Sequence, residues 1–451
     1  MVGTPRPEAM STRCQRIAAL ARQAPELGFT TLSHHLDIAW LTEAYRRTRK
    51  DGAVGVDGQT AAAYEANLQE NLQALLNRAK SGTYQAPPVR RVHIPKAGSL
   101  TETRPIGIPT FEDKVLQRAI AMVLEPIYEQ DFYDCSYGFR PKRSAHQALE
   151  KLWRQAMRPE VGWIVEVDIR QFFDTLDHAQ LRALLKRRVR DGVVLRLLGK
   201  WLNAGVLEDG EIFYPEAGSP QGGVISPTLS NIYLHYVLDD WFEREVKPRL
   251  RGYAFLVRYA DDFVMGFASE RDARRVLDVL PKRFGKYGLT VHPDKTQLVR
   301  FTRPAASDRK PPTATSGATP GSFDFLGFTH YIGRSRKGTW VVQRKTAASR
   351  LRRTVRKLSA WCKRHRHRPL PEQHQKLSRK LWGHYTYYGI TGNSRALGSL
   401  YYAVLLVWKK WLSRRSWHGT LFWAGFERLL QRLPLPRPRI VHSVYRRIAT
   451  T

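Results

Sequence analysis

The sequence predicts an α+β protein of two to four compact units, and three observations carry that reading. A chain of 451 residues, 42% apolar and 11% aromatic, can bury a sizeable core and is too long for one small domain. Apolar residues recur at helical spacing, as in Leu68, Leu72, Leu75 and Leu76. Apolar runs of strand length alternate with these stretches: Trp163 to Ile169, Ala254 to Tyr259 and Phe263 to Phe267.

Taken along the chain, residues 1–36 read as an N-terminal tail, and its start, Met1 to Met10, has no basic-then-apolar pattern of an export signal. From about Asp37 to Ala79 the pattern is helical, with Leu41, Ala44 and Tyr45 on one face and a loop at Gly52, Gly55 and Gly58. Val89 to Pro95 reads as extended. In Arg104-Pro105-Ile106-Gly107-Ile108-Pro109 the prolines forbid a regular helix. Val115, Ala119, Met122 and Val123 predict a helix up to Pro126. Trp163 to Ile169 is a buried strand with Asp168 near its end, followed by a helix from about Ala179 to Arg190. Ala254 to Tyr259 and Phe263 to Phe267 form a hairpin with Ala260-Asp261-Asp262 at its tip.

Residues 304–322 are rich in Pro, Ser, Thr, Ala and Gly, a composition that cannot build a core, so they read as a flexible surface insertion. From Arg334 to Arg368 there are 14 Lys and Arg and no Asp or Glu, while Leu351, Val355, Leu358 and Cys362 keep a helical stripe. This predicts a helix with one apolar face and a cationic remainder.

Lys and Arg number 74 against 40 Asp and Glu, a formal charge of +34 that some polyanion must neutralise. Interleaved Trp and Tyr favour nucleic acid over an anionic membrane surface. Cys14, Cys135 and Cys362 lie far apart, which supports neither a disulfide framework nor a zinc site and fits a reducing cytoplasm. The longest apolar run, near Ala403 to Trp408, is far short of a membrane span.

The acids at the strand end and the hairpin tip have a chemistry available to them. Joining a nucleotide to a primer needs an activated 3′-oxygen and a neutralised pyrophosphate, work suited to two divalent ions. Mg²⁺ takes a few carboxylates plus phosphates and waters, so two or three Asp converging from separate strands are enough. An isolated Asp-Asp in a turn is usually a solvated loop; its neighbours decide otherwise here.

Those neighbours are Tyr259-Ala260-Asp261-Asp262 between apolar strands, preceded by Val167-Asp168-Ile169-Arg170-Gln171-Phe172-Phe173-Asp174 and by Gly218-Ser219-Pro220-Gln221-Gly222-Gly223-Val224-Ile225-Ser226-Pro227. In content and order these blocks resemble a reverse transcriptase. The resemblance implies a right-hand polymerase: an N-terminal extension and fingers at 37–160, a palm with an antiparallel sheet at 161–330, a helical thumb or X region at 331–400, and a basic helical DNA-binding-like region at 401–451. It also implies that Asp168 and Asp261 hold two Mg²⁺ ions, with Mn²⁺ as a substitute, and that Asp262 supports or ligates them. Phe173 takes the place of the sugar gate that excludes a 2′-hydroxyl; the plain alternative is a core Phe. Because Phe172 and Phe173 are adjacent, one should pack and the other meet the site. Gln221 resembles the polar residue beside the incoming nucleotide. Arg104 and Lys96 resemble the cations that clamp the triphosphate, either of which could instead be one more surface charge. Lys295 would lie near phosphate or primer, and Phe323 to Phe328 resembles the primer-grip block. Arg352, Arg353, Arg356 and Lys357 are the expected nucleic-acid contacts of the basic helix.

Three features resemble the branch encoded in bacterial group II introns: the extension with Gly55-Val56-Asp57-Gly58, the block Ser136-Tyr137-Gly138-Phe139-Arg140-Pro141 with Ser144 and His146, and the basic helical tail with Trp408-Lys409-Lys410-Trp411. No cysteine follows Cys362, so a Cys- and His-rich endonuclease is not expected, and His365 and His367 read as part of the cationic face. The resemblance thus implies a reverse transcriptase with maturase activity in the bacterial cytoplasm, bound to group II intron RNA, a DNA target and primer, and dNTPs. Its rivals are a domesticated reverse transcriptase used in defence or repair, and a non-enzymatic RNA-binding splicing cofactor, which the intact acids disfavour. An RNA-templated RNA polymerase is disfavoured by Phe173 and Ala260.

Overall fold

The computed structural model describes residues 7–95, 103–208, 210–214, 222–304, 321–335, 337–416 and 420–443. Helix α1 (Pro7–Gln23) occupies the segment expected as a tail. It is docked there: Met10, Ile17 and Ala21 are buried, and Arg188, paired with Asp131 at 2.9 Å, donates to the carbonyls of Ala21, Ala24, Pro25 and Leu27. The three buried residues make a thin stripe, and Leu20 of the same helix is 52% exposed, so the apolar residues do not announce which face packs.

Helices α2 (Ile38–Arg47), α3 (Ala61–Glu65) and α4 (Leu68–Ser81) fall where periodicity put them. Asp37 and Thr60 cap the first two by accepting from Trp40 N and Ala63 N. Strands β1 (Val89–Pro95) and β2 (Thr103–Ile108) pair antiparallel. Helix α5 (Phe111–Asp131) runs through Pro126 rather than ending there. A proline removes one backbone hydrogen bond, and the full burial of Ile127 and Tyr128 beyond it offsets that loss.

Next come α6 (Ala145–Ala156), β3 (Trp163–Val167) and α7 (His178–Leu185). The last stops short of the expected Arg190 because Asp191 opens α8 (Gly192–Leu202), accepting from Val193 N and Val194 N. Strands β4 (Val206–Glu208) and β5 (Glu211–Phe213) precede α9 (Ser226–Leu234), which continues into a π-helical turn at His235–Asp239. The expected hairpin is β6 (Ala254–Tyr259) and β7 (Asp262–Phe267), followed by α10 (Glu270–Gly285) and β8 (Gln297–Arg300).

Of the expected insertion at 304–322, residues 305–320 lie outside the described residues. Strands β9 (Ser322–Phe325), β10 (Phe328–Arg334) and β11 (Trp340–Thr346) then precede α11 (Ala348–Arg364), so the cationic segment from Arg334 opens as a strand and becomes a helix only at Ala348. Its first part alternates with period two, Val342, Arg344 and Thr346 being buried in turn. Helices α12 (Leu370–Tyr388), α13 (Ser394–Leu412) and α14 (Trp423–Arg432) complete the described chain.

Two compact units result. The first, 1–148 with 165–298, contains a mixed sheet in the order β2-β1-β4-β5 and the hairpin strands of a second sheet, ordered β6-β7-β3-β8. The second, 149–164 with 299–451, contains the sheet β11-β10-β9 and a helical core in which Leu358, Cys362, Leu381, Val404 and Trp408 are buried together. Among the described residues no helix is long and apolar enough to cross a membrane.

Candidate active site

The register of the hairpin pairs Tyr259 with Asp262, which leaves Ala260-Asp261 as a two-residue turn. Ala260 sits at φ 58°, a left-handed conformation that strains a residue with a side chain and persists only where its surroundings impose it. The surroundings are specific. Gly138 lies against the turn so closely that a Cβ there would meet Ala260 N at 2.4 Å. Beneath it Arg258, 0% exposed, forks onto Asp239, also 0% exposed, through Nε–Oδ1 (2.8 Å) and Nη2–Oδ2 (2.5 Å). Its Nη1 donates to Ala260 O and Asn231 Oδ1, both at 3.0 Å, and Asn231 Nδ2 donates to Gly138 O at 2.7 Å. The block around Gly138 is thereby tied to the acid-bearing turn.

Asp168 lies one residue beyond β3. Its carbonyl accepts from His292 N at 2.8 Å, and Arg170 N donates to Thr290 O at 2.8 Å, so the segment before Lys295 is stitched alongside it. Lys295 Nζ reaches Asp168 Oδ2 at 2.8 Å. Burial raises the Asp261 carboxyl above the ordinary carboxylate range; the charge of Asp168 adds to this, and Arg104 and Arg258 oppose it. In the sheet β7, which begins at Asp262, lies next to β3, so the turn bearing Asp261 and the strand end bearing Asp168 belong to neighbouring strands. Asp262 begins β7, half-buried.

Among the described residues no three His, Cys, Asp or Glu come close enough to cage a metal. The donor set is smaller: Asp168 and Asp261, hard oxygen ligands whose mutual repulsion a cation would relieve. That suits Mg²⁺, which binds through one or two carboxylates and fills its shell with phosphates and waters.

Phe172 is 2% exposed and stacks edge-on against Tyr233 at 6.4 Å, whereas Phe173 is half-buried. Of the adjacent pair, Phe172 is the one that packs. Arg104 is exposed on β2, facing Ile94 in register. Lys96 and Gln221 lie outside the described residues. Gly222, next to the latter, has φ 122°, and a Cβ there would meet Gly107 O at 2.5 Å, so the glycine block lies on the backbone of the strand that bears Arg104. The same block is anchored from below. Ile225 N donates to Gln117 Oε1 (3.3 Å), Gln117 Nε2 to Asp113 Oδ2 (3.1 Å), and Trp201 Nε1 to Asp113 Oδ1 (2.6 Å). Burial pushes the Asp113 carboxyl up to about 6.

In the second unit, Arg352, Arg356 and Lys357 are exposed on α11 and Arg353 is half-buried, while Leu358 and Cys362 face the helical core. Sequence reasoning missed Arg258, Asp239 and Asn231. A signal existed: Arg258 is the lone charge in the apolar run Ala254 to Tyr259, and a charge in a buried strand needs a partner.

The family described as reverse transcriptase (RNA-dependent DNA polymerase) matches residues 94–330. Protein YkfC of Escherichia coli K12 is 36% identical over 298 residues, covering 57% of this chain and 76% of YkfC. The group II intron-encoded protein LtrA of Lactococcus lactis is 38% identical over 245 residues, 52% of this chain and 40% of LtrA. The mitochondrial nuclear intron maturase 2 of Arabidopsis thaliana is 33% identical over 194 residues, 34% of this chain and 25% of its own length. The chain thus spans three quarters of one curated relative and under half of the others.

Proposed function

The chain belongs to the reverse transcriptase (RNA-dependent DNA polymerase) family, and from that membership we propose that it copies RNA into DNA and serves as a maturase for a group II intron. The observation that carries the chemistry is geometric: the strained turn of the β6–β7 hairpin presents Asp261 and Asp262, and Asp168 directly follows β3, the strand next to β7 in the sheet. Two Mg²⁺ ions, with Mn²⁺ as a substitute, would supply activation of the primer 3′-oxygen and neutralisation of the leaving pyrophosphate. Asp168 and Asp261 would hold them, with Asp262 in support. Arg104 would present a planar fork to the triphosphate, with Lys96 and Gln221 as the further residues expected to serve the nucleotide. Lys295 pairs with the Asp168 carboxylate at 2.8 Å. The palm of a right-hand polymerase then corresponds to 161–330, fingers to 37–160, and thumb and basic region to 331–451. The intron role rests on likeness to LtrA and the other intron proteins, and the partners are the intron RNA, a DNA target with its primer, and dNTPs.

The direct test is extension of a DNA primer on an RNA template. Mg²⁺-dependent incorporation of dNTPs that stops on chelation is expected. Its absence in folded protein leaves the splicing-cofactor reading.

Phe173→Ala should open room for a 2′-hydroxyl and raise ribonucleotide use relative to deoxynucleotide use by one to two orders of magnitude, roughly 1–3 kcal/mol of lost discrimination. Single-nucleotide extension measures the ratio. Unchanged discrimination returns Phe173 to the core.

Replacing Arg352, Arg353, Arg356 and Lys357 by Ala should flatten the dependence of RNA affinity on salt. Each phosphate that the helix no longer neutralises takes about 0.7 off the slope of log affinity against log salt, so up to about 3 in all. Filter binding between 50 and 200 mM salt, roughly the range in which such slopes are read, checks it; an unaltered slope moves the RNA-binding surface off α11.

A further inference from the structure

An open groove of about 920 Å³ is lined by α7, α8 and residues at the base of the β4–β5 hairpin, and no residue assigned above to the active site lines it. Its wall carries Arg182 on α7 and Lys186 at the C-cap of α7, with Arg196 and Lys200 on α8, two cation pairs each four residues apart, and no Asp or Glu. Like charges at that spacing repel along a helix. Some surface cations of this unit are paired with acids, as Arg46 and Arg47 are with Glu43, Arg78 with Glu112, Arg91 with Glu208 and Arg274 with Glu270. Arg182, Lys186 and Arg196 have no such partner among the described residues.

The groove is also shaped. Arg182 Nη2 lies 3.0 Å from the position a Cβ would fill on Gly199, so the missing side chain lets the guanidinium rest on α8. Lys200 Nζ is fixed by the carbonyls of Gly82 and Tyr84. At one end the ring of Tyr214 lies over Gly205, with Cε1 3.1 Å from the Cβ position, yet Tyr214 remains 71% exposed. One face is supported and the other is open.

We propose that this groove is a second nucleic-acid site that holds a single-stranded stretch of RNA, its phosphates on Arg182, Lys186 and Arg196 and a base stacked on Tyr214. Successive cations one helical turn apart, about 6 Å, suit a sugar-phosphate chain, and an open aromatic face accepts any base. An acidic peptide would use the cations and leave the ring idle. The neutral amides of Asn203 and Gln85 in the lining offer partners to a 2′-hydroxyl, which favours RNA over DNA. The inference rests on the reading of the chain as an enzyme that handles RNA.

The test uses the full chain with a labelled single-stranded RNA 20-mer, the DNA of the same sequence, and a short primer–template with a few unpaired template nucleotides. The variant R182E/K186E/R196E should lose at least tenfold in RNA affinity, with the salt slope reduced by about 2. Tyr214→Ala should lose about fivefold with the slope unchanged. Extension of the short primer–template should stay within twofold in both, which also reports the fold. RNA affinity unchanged in both variants overturns the proposal, as does an equal loss of DNA binding, and an equal loss of short-template extension assigns the groove to the polymerase site itself. A wild-type chain that binds RNA through the groove yet synthesises no DNA overturns the function proposed above and leaves the groove standing.

Discussion

Asp261→Ala combined with Asp262→Ala should remove DNA synthesis by three orders of magnitude or more while RNA binding stays within about twofold. The loss corresponds to roughly 4 kcal/mol of transition-state stabilisation at 1.36 kcal/mol per tenfold. Such a loss is expected when the oxygen ligands that position two metal ions are gone. RNA affinity should persist because the exposed cations lie elsewhere, on α11 of the second unit among other places. Stability should change little: burial and the Asp168 charge already oppose the Asp261 carboxylate, so its removal relieves repulsion. Primer extension, RNA filter binding and thermal melting on one preparation separate the three quantities. Retained synthesis would remove the hairpin from the active site, and lost RNA binding with an unchanged melt would give the acids a second role in holding RNA.

The strand and the hairpin that carry the acids were legible because motif and pattern agreed. Asp168 follows a short apolar run and Asp261-Asp262 interrupts two others, and short continuous apolar runs bounded by turn residues read as buried strands. Less legible was whatever depends on partners distant in sequence. The helix at Pro7–Gln23 is tied at its C-terminal end by Arg188, more than 160 residues away, and α5 passes Pro126 because Ile127 and Tyr128 are buried, which no local propensity reports. The cationic run from Arg334 has two periods spliced together, strand then helix, and composition averages over both. In the site, Asp168 and Asp261 are 93 residues apart in sequence, and only the fold sets their strands side by side. Arg258 was visible as an anomaly within its strand, but its partners Asp239 and Asn231 lie on α9 and its π-helical continuation, and only the fold names them.

That buried pair should be where the molecule is most sensitive outside the reacting groups. Arg258→Met leaves the Asp239 carboxylate, 0% exposed, without a counter-charge, and Ala260 O and Asn231 Oδ1 without their donor. Breaking a buried pair by removing one partner costs about 3–5 kcal/mol, which in a unit of this size lowers the melting temperature by roughly 5 to 10 °C. Replacing both members, Asp239→Leu with Arg258→Met, should cost less than the single Arg258 change, because no orphaned charge remains. Catalysis should separate from stability. Arg258→Lys keeps the charge beside Asp239 but loses the fork that also reaches Ala260 O, so it should melt closer to wild type while kcat falls tenfold or more with KM little changed. The reason is geometric: Ala260 holds a strained φ that its neighbours impose, and with the guanidinium gone the turn relaxes and Asp261 moves out of register with Asp168. Melting curves and steady-state extension on the three variants decide the matter. A Lys variant with full kcat would show that Gly138 and the hairpin register suffice to hold the turn, and a single Met variant as stable as wild type would show that Asp239 is neutral in the folded protein.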